Sequence, residues 1–375
     1  MKSILVTGGA GFIGSHLVDK LIDKGHSVRV LDSLVSQVHG PRGELPSYFN
    51  REAEFVEGDV RNREIVLEAL KGMDVVFHLA AAVGVGQSMY EIQRYVEVNS
   101  LGGAVLLDAL ANESHNIGKA IVASSMSVYG EGKYNCDICG PIYPKLRTEE
   151  ALSEGQWEMR CPNCSTVVES RPTDEEKPLL PTSIYAISKR DHEEMFLSVG
   201  RAYGLPTVAL RFFNVYGPRQ ALSNPYTGVA AIFSSRLLNN RPPVIFEDGL
   251  QSRDFVHVSD VVQACVLAME SPQADYEVFN VGTGRPITVR QVADALIEKL
   301  CPECEMVPEI TGQFRQGDIR HCYADISKIQ DYLGYRPQVQ FEEGISELAQ
   351  WVASQSAHDG FDDAQRELRD RRLVE

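Results

Sequence analysis

Short apolar runs and stretches of helical period take turns along the first 130 residues. The runs Ser3–Val6, Ser27–Leu31, Ala53–Glu57, Val75–Leu79 and Ala120–Ser124 have the length and the Val, Ile, Leu and Phe content of strands. Between them, over Gly14–Lys24, Arg63–Lys71 and Met89–Glu113, apolar positions return every three to four residues, as on a helix with one buried face. Strands apolar throughout and joined by helices imply a parallel sheet covered on both faces, so the pattern predicts a doubly wound α/β fold. From Asn135 to Pro172 neither period is sustained. A helix over Ser183–Tyr203 and a strand over Thr207–Phe212 restore the order. Beyond Gly217 the elements shorten and mix, with strands Val244–Phe246 and Val278–Val281 and a helix Val289–Leu300, which reads as a smaller mixed α/β C-terminal substrate lobe. The stretch His358–Glu375 is dense in charge and reads as a solvated helix or a frayed tail.

The first strand runs straight into Gly8, Gly11, Phe12, Ile13 and Gly14, glycines at every third position where a strand meets a helix. Bare backbone there lets a pyrophosphate approach the N–H groups and the positive end of the helix. Asp32 closes the second strand, where a carboxylate accepts hydrogen bonds from adenosine ribose hydroxyls and repels a 2′-phosphate. The combination predicts a Rossmann-type site for NAD rather than NADP. Asp59 and Val60, and Leu79, Ala80 and Ala81, fall at two further strand ends on the same carboxyl edge. The division expected is a dinucleotide-binding domain over 1–134 and 173–217, an insertion over 135–172, a lobe over 218–352 and a charged tail over 353–375.

Composition narrows the partners. The 375-residue chain has a formal net charge of −16, with 43% hydrophobic and 23% charged residues. Such an acidic chain repels nucleic acid and anionic membranes, so neither is expected as a partner. No apolar run reaches the 18 residues of a membrane span, and a strand beginning at Ser3 leaves no room for a signal peptide, so a cytoplasmic protein is expected. In a reducing compartment, Cys136-x2-Cys139 and Cys161-x2-Cys164 read as a four-thiolate zinc site. Four sulfur ligands leave no open position, which makes the zinc structural and the insertion zinc-ribbon-like. Cys301-x2-Cys304 has no second pair nearby and reads as a surface coincidence, with Cys265 and Cys322 as apolar fillers.

Ser125 closes its strand, and Tyr185 and Lys189 lie four apart on the later helix, hence on one face. An ammonium beside a phenol favours the phenolate, so this trio reads as a general base with its orienting partners for hydride transfer. A zinc-ribbon protein using a dead dehydrogenase fold to bind protein or RNA would lose that trio and gain a basic stripe. This chain does neither.

Thr7-Gly-Gly-Ala-Gly-Phe-Ile-Gly14, His78-Leu-Ala-Ala81, Asn99, Ser124-Ser-Met-Ser-Val-Tyr-Gly130, Tyr185-x3-Lys189, Leu210-Arg-Phe-Phe-Asn-Val-Tyr-Gly-Pro218 and Arg253-Asp-Phe-Val-His-Val258 together resemble the extended short-chain dehydrogenases/reductases, more narrowly the nucleotide-sugar epimerases and dehydratases. The resemblance runs from Met1 to about Val352, interrupted by the cysteine segment. It implies that Asn99 and Phe212 serve the cofactor, that Asn214 and Arg253 hold a sugar-nucleotide diphosphate, and that Arg315-x2-Asp318 closes over the nucleotide. It also implies a homodimer through the helices Met89–Glu113 and Ser183–Tyr203. Relatives that eliminate water or decarboxylate carry carboxylates after the serine, whereas Met126 and Ser127 stand here and cannot shuttle a proton. What remains is oxidation, rotation and reduction at one carbon of the sugar. Gln87, Ser88 and Met89, in the segment Gly84–Tyr90, are expected to line the sugar pocket, with Met126 giving it an apolar side. That segment, the cysteine insertion and Ala221–Gly228 are most similar to dTDP-L-rhamnose 4-epimerases, which interconvert dTDP-L-rhamnose and dTDP-6-deoxy-L-talose. UDP-hexose 4-epimerisation and 4-keto-sugar reduction are the alternatives.

Overall fold

In the computed structural model, which describes residues 1–374, seven parallel strands form the central sheet. In chain order they are β1 (Ser3–Thr7), β2 (Ser27–Asp32), β3 (Glu54–Glu57), β4 (Val75–His78), β5 (Lys119–Ser125), β6 (Thr207–Phe212) and β7 (Val278–Val281). Their spatial order is β7-β6-β5-β4-β1-β2-β3, so the direction of travel reverses between β1 and β4, where ligands bind in such sheets. Side chains alternate across the sheet with period two. Ile4, Val6, Val30, Phe77 and Ile121 face one core, with Leu17, Val18 and Leu21 of helix α1 (Phe12–Asp23). Leu5, Leu31, Val76 and Val122 face the other, against Leu106 and Leu110 of α2 (Gly102–Asn112) and Phe196 of α3 (Ile184–Tyr203). Both faces are covered, which is why the strands read as apolar throughout.

The strand Val278–Val281 is not part of the smaller lobe as its sequence position suggests; it pairs parallel with β6 as the seventh strand of the main sheet. Four apolar residues fit either sheet, and only long-range pairing decides. The expected helix Met89–Glu113 is also interrupted: it starts at Ile92, passes through a π-helical turn at Val96–Leu101 and continues as α2. One extra residue in one turn is invisible to a 3.6-residue period. α3 begins where Ser183 accepts the Ala186 N–H at 3.1 Å and ends at Gly204, whose φ of 67° suits glycine.

The smaller lobe is built on the strands Asn214–Tyr216, Ser252–His257 and Pro286–Thr288, with helices packed around Tyr216, Phe233, Phe255 and Leu296. The cysteine stretch does contain regular structure: Lys133–Cys136 lies between Gly140–Ile142 and Glu169–Arg171 in an antiparallel sheet. Tyr134, Ile142, Met159 and Val168 give it a core of its own. Strands of three and four residues are too short to show a period. Cys301 and Cys304, expected as a surface coincidence, are joined to each other in a disulfide. The tail is neither frayed nor freely solvated, because α4 (Phe361–Asp370) buries Phe361, Ala364, Gln365 and Leu368. Among the described residues no helix is long and apolar enough to cross a membrane.

Candidate active site

A cleft of about 760 Å3 runs along the carboxyl edge of the sheet from the glycine turn to the smaller lobe. At its floor the backbone comes very close. Gly8 has a φ of +72°, and a Cβ there would lie 2.8 Å from the Ala80 nitrogen. A Cβ on Gly14 would sit 2.2 Å from the Gly8 carbonyl oxygen. Gly11, Phe12 and Ile13 complete this end of the wall, facing Leu79, Ala80 and Ala81, and Phe212 lies further along. The cradle fits a dinucleotide pyrophosphate, for which bare N–H groups and missing Cβ atoms are the requirement. Asp32 is fixed at the rim by the N–H groups of Ala10 and Leu34, both at 3.0 Å. Each carboxylate oxygen keeps a further lone pair for a ribose hydroxyl. Val60 and Asp59 line the same end, Asp59 in an ion pair with Arg61 at 2.7 Å.

Asn99 does not reach the cleft. It is fully buried, bonded through Oδ1 to the Ala82 N–H (2.8 Å) and through Nδ2 to the Ala82 carbonyl (3.0 Å) and Ser188 Oγ (2.8 Å). It ties the π turn to the cleft wall and to α3, one residue before Lys189.

Ser125, at the end of β5, and Tyr185 and Lys189, in the first turns of α3, meet on the cleft wall. The Lys189 ammonium donates to the Ala123 carbonyl at 2.9 Å, and burial pulls its pKa down to about 7. Burial pushes the Tyr185 phenol above its ordinary value, opposed by a hydrogen bond with Ser125. Both groups sit in the same dry setting, and desolvation acts on each. Ser88 is buried off the wall, where its hydroxyl accepts the Tyr185 backbone N–H at 3.0 Å and so fixes the first turn of α3. Gln87 is likewise held inside, accepting from Gln37 (2.9 Å) and from the Tyr95 hydroxyl (3.1 Å). Met89 and Met126 do face the cleft.

Toward the smaller lobe the cleft meets Asn214, Arg315 and Asp318. Among the described residues, the buried Asn214 Oδ1 and Arg315 Nε atoms have no hydrogen-bond partner. The Arg315 guanidinium lies over the Phe246 ring, 4.3 Å from its centroid. Arg253 is engaged elsewhere. It donates to the carbonyls of Ser252, Arg320 and Ile319 and to Asp318 (3.0 Å), and it does not line the cleft. Here Arg315 rather than Arg253 offers a cation to an anion.

Residues 4–150 match the NAD-dependent epimerase/dehydratase family model, and residues 167–348 match the GDP-mannose 4,6 dehydratase model. The chain is 34% identical over 357 residues to dTDP-L-rhamnose 4-epimerase of Burkholderia thailandensis, covering 94% of this chain and 96% of that one. It belongs to the NAD-dependent epimerase/dehydratase family, among the extended short-chain dehydrogenases/reductases. Its fold is also that of UDP-glucose 4-epimerase from Thermotoga maritima, solved with UDP-glucose (36% identity, TM-score 0.74, 93% of this chain and 98% of that). UDP-glucose 4-epimerase from Thermus thermophilus, solved with NAD, is similar at 32% identity and a TM-score of 0.73, with 94% and 99% covered.

Two parts of this family member lie wholly or partly outside the residues those models match. In the insertion, the Sγ atoms of Cys136, Cys139, Cys161 and Cys164 all fall within 4.8 Å of one another, with Cys136 and Cys164 at 3.5 Å. A tetrahedral zinc with bonds of about 2.3 Å needs sulfurs about 3.8 Å apart, so the four thiols fit that ion. The insertion is riveted to the smaller lobe by a network that the sequence reading missed. Arg147 donates to both oxygens of Glu247 at 2.8 Å, and the fully buried Arg320 reaches Glu247 (2.9 Å), Asp248 (2.7 Å) and Glu158. No spacing signal ties residues so far apart. The other missed part is α4, whose Ala364, Gln365 and Leu368 line the cleft.

Proposed function

We propose that this chain is an isomerase, an NAD-dependent nucleotide-sugar 4-epimerase that inverts C4 through a transient 4-keto sugar. The observation that carries the reading is the convergence of Ser125, Tyr185 and Lys189 on one wall of the cleft that begins at the glycine cradle. Met126 and Ser127, following Ser125, bring no acid to that wall, which disfavours elimination and decarboxylation. When bound, NAD supplies the acceptor and later the donor of the C4 hydride. Tyr185 takes the C4 hydroxyl proton and holds it while the ketone persists, with Ser125 bonded to the same oxygen. Lys189 orients the phenol and bears the charge that helps to ionise it. Asn214 and Arg315 keep the diphosphate in place while the sugar turns its other face, after which Tyr185 returns the proton.

The substrate pair that fits best is dTDP-L-rhamnose and dTDP-6-deoxy-L-talose. The apolar faces of Met89 and Met126 suit a 6-deoxy carbon, and the curated relative named above has that activity. UDP-glucose and UDP-galactose are the second reading, favoured by the Thermotoga maritima relative. Zinc in the insertion is proposed as structural. Ile92, Val96, Leu101 and Ile187 are exposed apolar residues on the two helices of the expected homodimer contact, which supports that reading.

The test is parallel incubation with dTDP-L-rhamnose, UDP-galactose and UDP-glucuronate in deuterated buffer, followed by NMR. One C4 epimer should appear with no deuterium on any sugar carbon. Deuterium at C5, loss of carbon dioxide, or a need for exchangeable NADPH would reject the epimerase reading.

A further inference from the structure

We propose that α4 roofs the substrate half of the cleft and that Gln365 is a specificity-determining hydrogen-bonding contact for the nucleotide sugar. The inference rests on the nucleotide-sugar reading above. The residues matched by the second family model end at 348, so α4 lies beyond them. Its buried positions are Phe361, Ala364, Gln365 and Leu368, spaced as one helical stripe. Phe361 and Leu368 pack with Phe246 and Val374 in a small apolar cluster. Gln365 is the exception in the stripe. Its side chain lines the cleft, only 6% of the residue is exposed, and its Oε1 has no hydrogen-bond partner among the described residues. Buried amide oxygens are almost always paired, so this one calls for a donor from the cleft.

The roof is held by directional contacts on both sides. Glu367 Oε2 lies 2.9 Å from the hydroxyls of Tyr90 and of Tyr226, which are 2.6 Å from each other. The Arg371 guanidinium covers the Tyr90 ring at 4.3 Å. Beyond the helix, Val374 bridges to Arg315 and the Leu373 carbonyl accepts the Gln316 N–H at 3.1 Å. α4 therefore spans from the segment that carries Met89 to the one that carries Arg315, across the place assigned to the substrate. A carboxamide offers one acceptor and two donors without charge. The unpaired atom here is the oxygen, so it suits a ligand N–H, as on a pyrimidine base, or a sugar hydroxyl, and a phosphate oxygen brings it no donor.

The test uses the NAD-loaded full chain, with calorimetric titration of dTDP, dTDP-L-rhamnose, UDP and UDP-glucose. Gln365→Met keeps the shape and removes the amide, while Arg366→Ala alters an exposed neighbour on the same helix. Gln365→Met should weaken binding about tenfold, the usual scale of one buried hydrogen bond, with retained NAD and unfolding midpoint as in wild type. Arg366→Ala should bind within twofold of wild type. An equal loss for dTDP and its sugar adduct supports a contact to the nucleotide, and a loss confined to the adduct supports a contact to the sugar. Wild-type binding by Gln365→Met, or equal losses in both variants, overturns the proposal. If Gln365→Met lowers the unfolding midpoint, Gln365→Asn, which keeps the amide one methylene short, serves the same comparison with a smaller loss. A wild-type chain that binds none of the four probes fails the nucleotide-sugar reading itself.

Discussion

The two halves of the cleft are made in opposite ways. At the glycine end the walls are strand ends of one sheet, β1 to β5, and the fit is set by backbone that tolerates no added atom. At the sugar end the walls come from Gly84–Tyr90, the stretch after β6, Arg315–Asp318 and α4, segments far apart in the chain. Side chains hold these segments, through Arg253–Asp318 at 3.0 Å and Glu367 with its two tyrosines. A backbone cradle admits one ligand shape. A wall of side chains can be altered piece by piece, so one cofactor site can serve relatives named for different substrates.

The largest effect should come from the group the two halves share. Tyr185→Phe removes the proposed proton carrier, and kcat should fall by about 10^3 or more while NAD stays bound. Single-turnover assays with the cofactor content measured alongside will show whether the two separate. Next is the cradle. Gly14→Val would drive carbon into the Gly8 carbonyl, which a Cβ alone approaches to 2.2 Å, so retained NAD should drop by about 100-fold or the chain should fail to fold. If Gly14→Val kept its NAD, the contrast between a rigid and an adjustable half would be lost.

The cradle, Asp32 and the trio Ser125, Tyr185 and Lys189 were legible because each is a local spacing on an element whose period is itself legible. Orientation was not. Ser88 and Gln87 sit beside Met89 in the chain, yet only the methionine faces the cleft, since one residue along a helical turn rotates the side chain by about 100°. Arg253 and Arg315 are equally good diphosphate ligands by residue type. The structure separates them because three backbone carbonyls and Asp318 already occupy Arg253. The stripe of Phe361, Ala364 and Leu368 was visible in principle, but charged residues crowd it, and burial of one polar member depends on what lies opposite. Nothing local announces the carboxylates around Arg320.

Those carboxylates give the third way to sharpen the comparison. Arg320→Met would remove the cation shared by Glu158 and Asp248, leave Glu247 with Arg147 alone and loosen the insertion on the lobe. Breaking a buried pair on one side costs about 3–5 kcal/mol. KM for the nucleotide sugar should rise about tenfold, because Asp318 and Arg315 lie on the same short stretch, with NAD content unchanged. Removing metal from the four thiols with a chelator should act the same way, more weakly. Parallel titration of cofactor and sugar nucleotide will reveal an equal loss of both if the insertion supports the whole fold instead.

The smallest effect tests the dry setting at the junction of the halves. Burial holds the Lys189 amine to about 7, against about 10.4 for an unfolded lysine. Between those values the unfolded chain binds the extra proton, so native stability must rise with pH. The penalty for a buried ammonium is complete below pH 7 and gone above the unfolded value. Raising the pH from 7 to 9 should therefore stabilise the wild type relative to Lys189→Met by about 2 kcal/mol, read from urea midpoints of the two proteins at each pH. A difference that does not change with pH would mean that the ammonium stays charged beside the phenol in the free chain. In that case Lys189 lowers Tyr185 before any ligand arrives, and the base is ready in advance. A slope of the expected sign places the ionisation of Tyr185 after the cleft has filled, when the reacting groups of both halves are together.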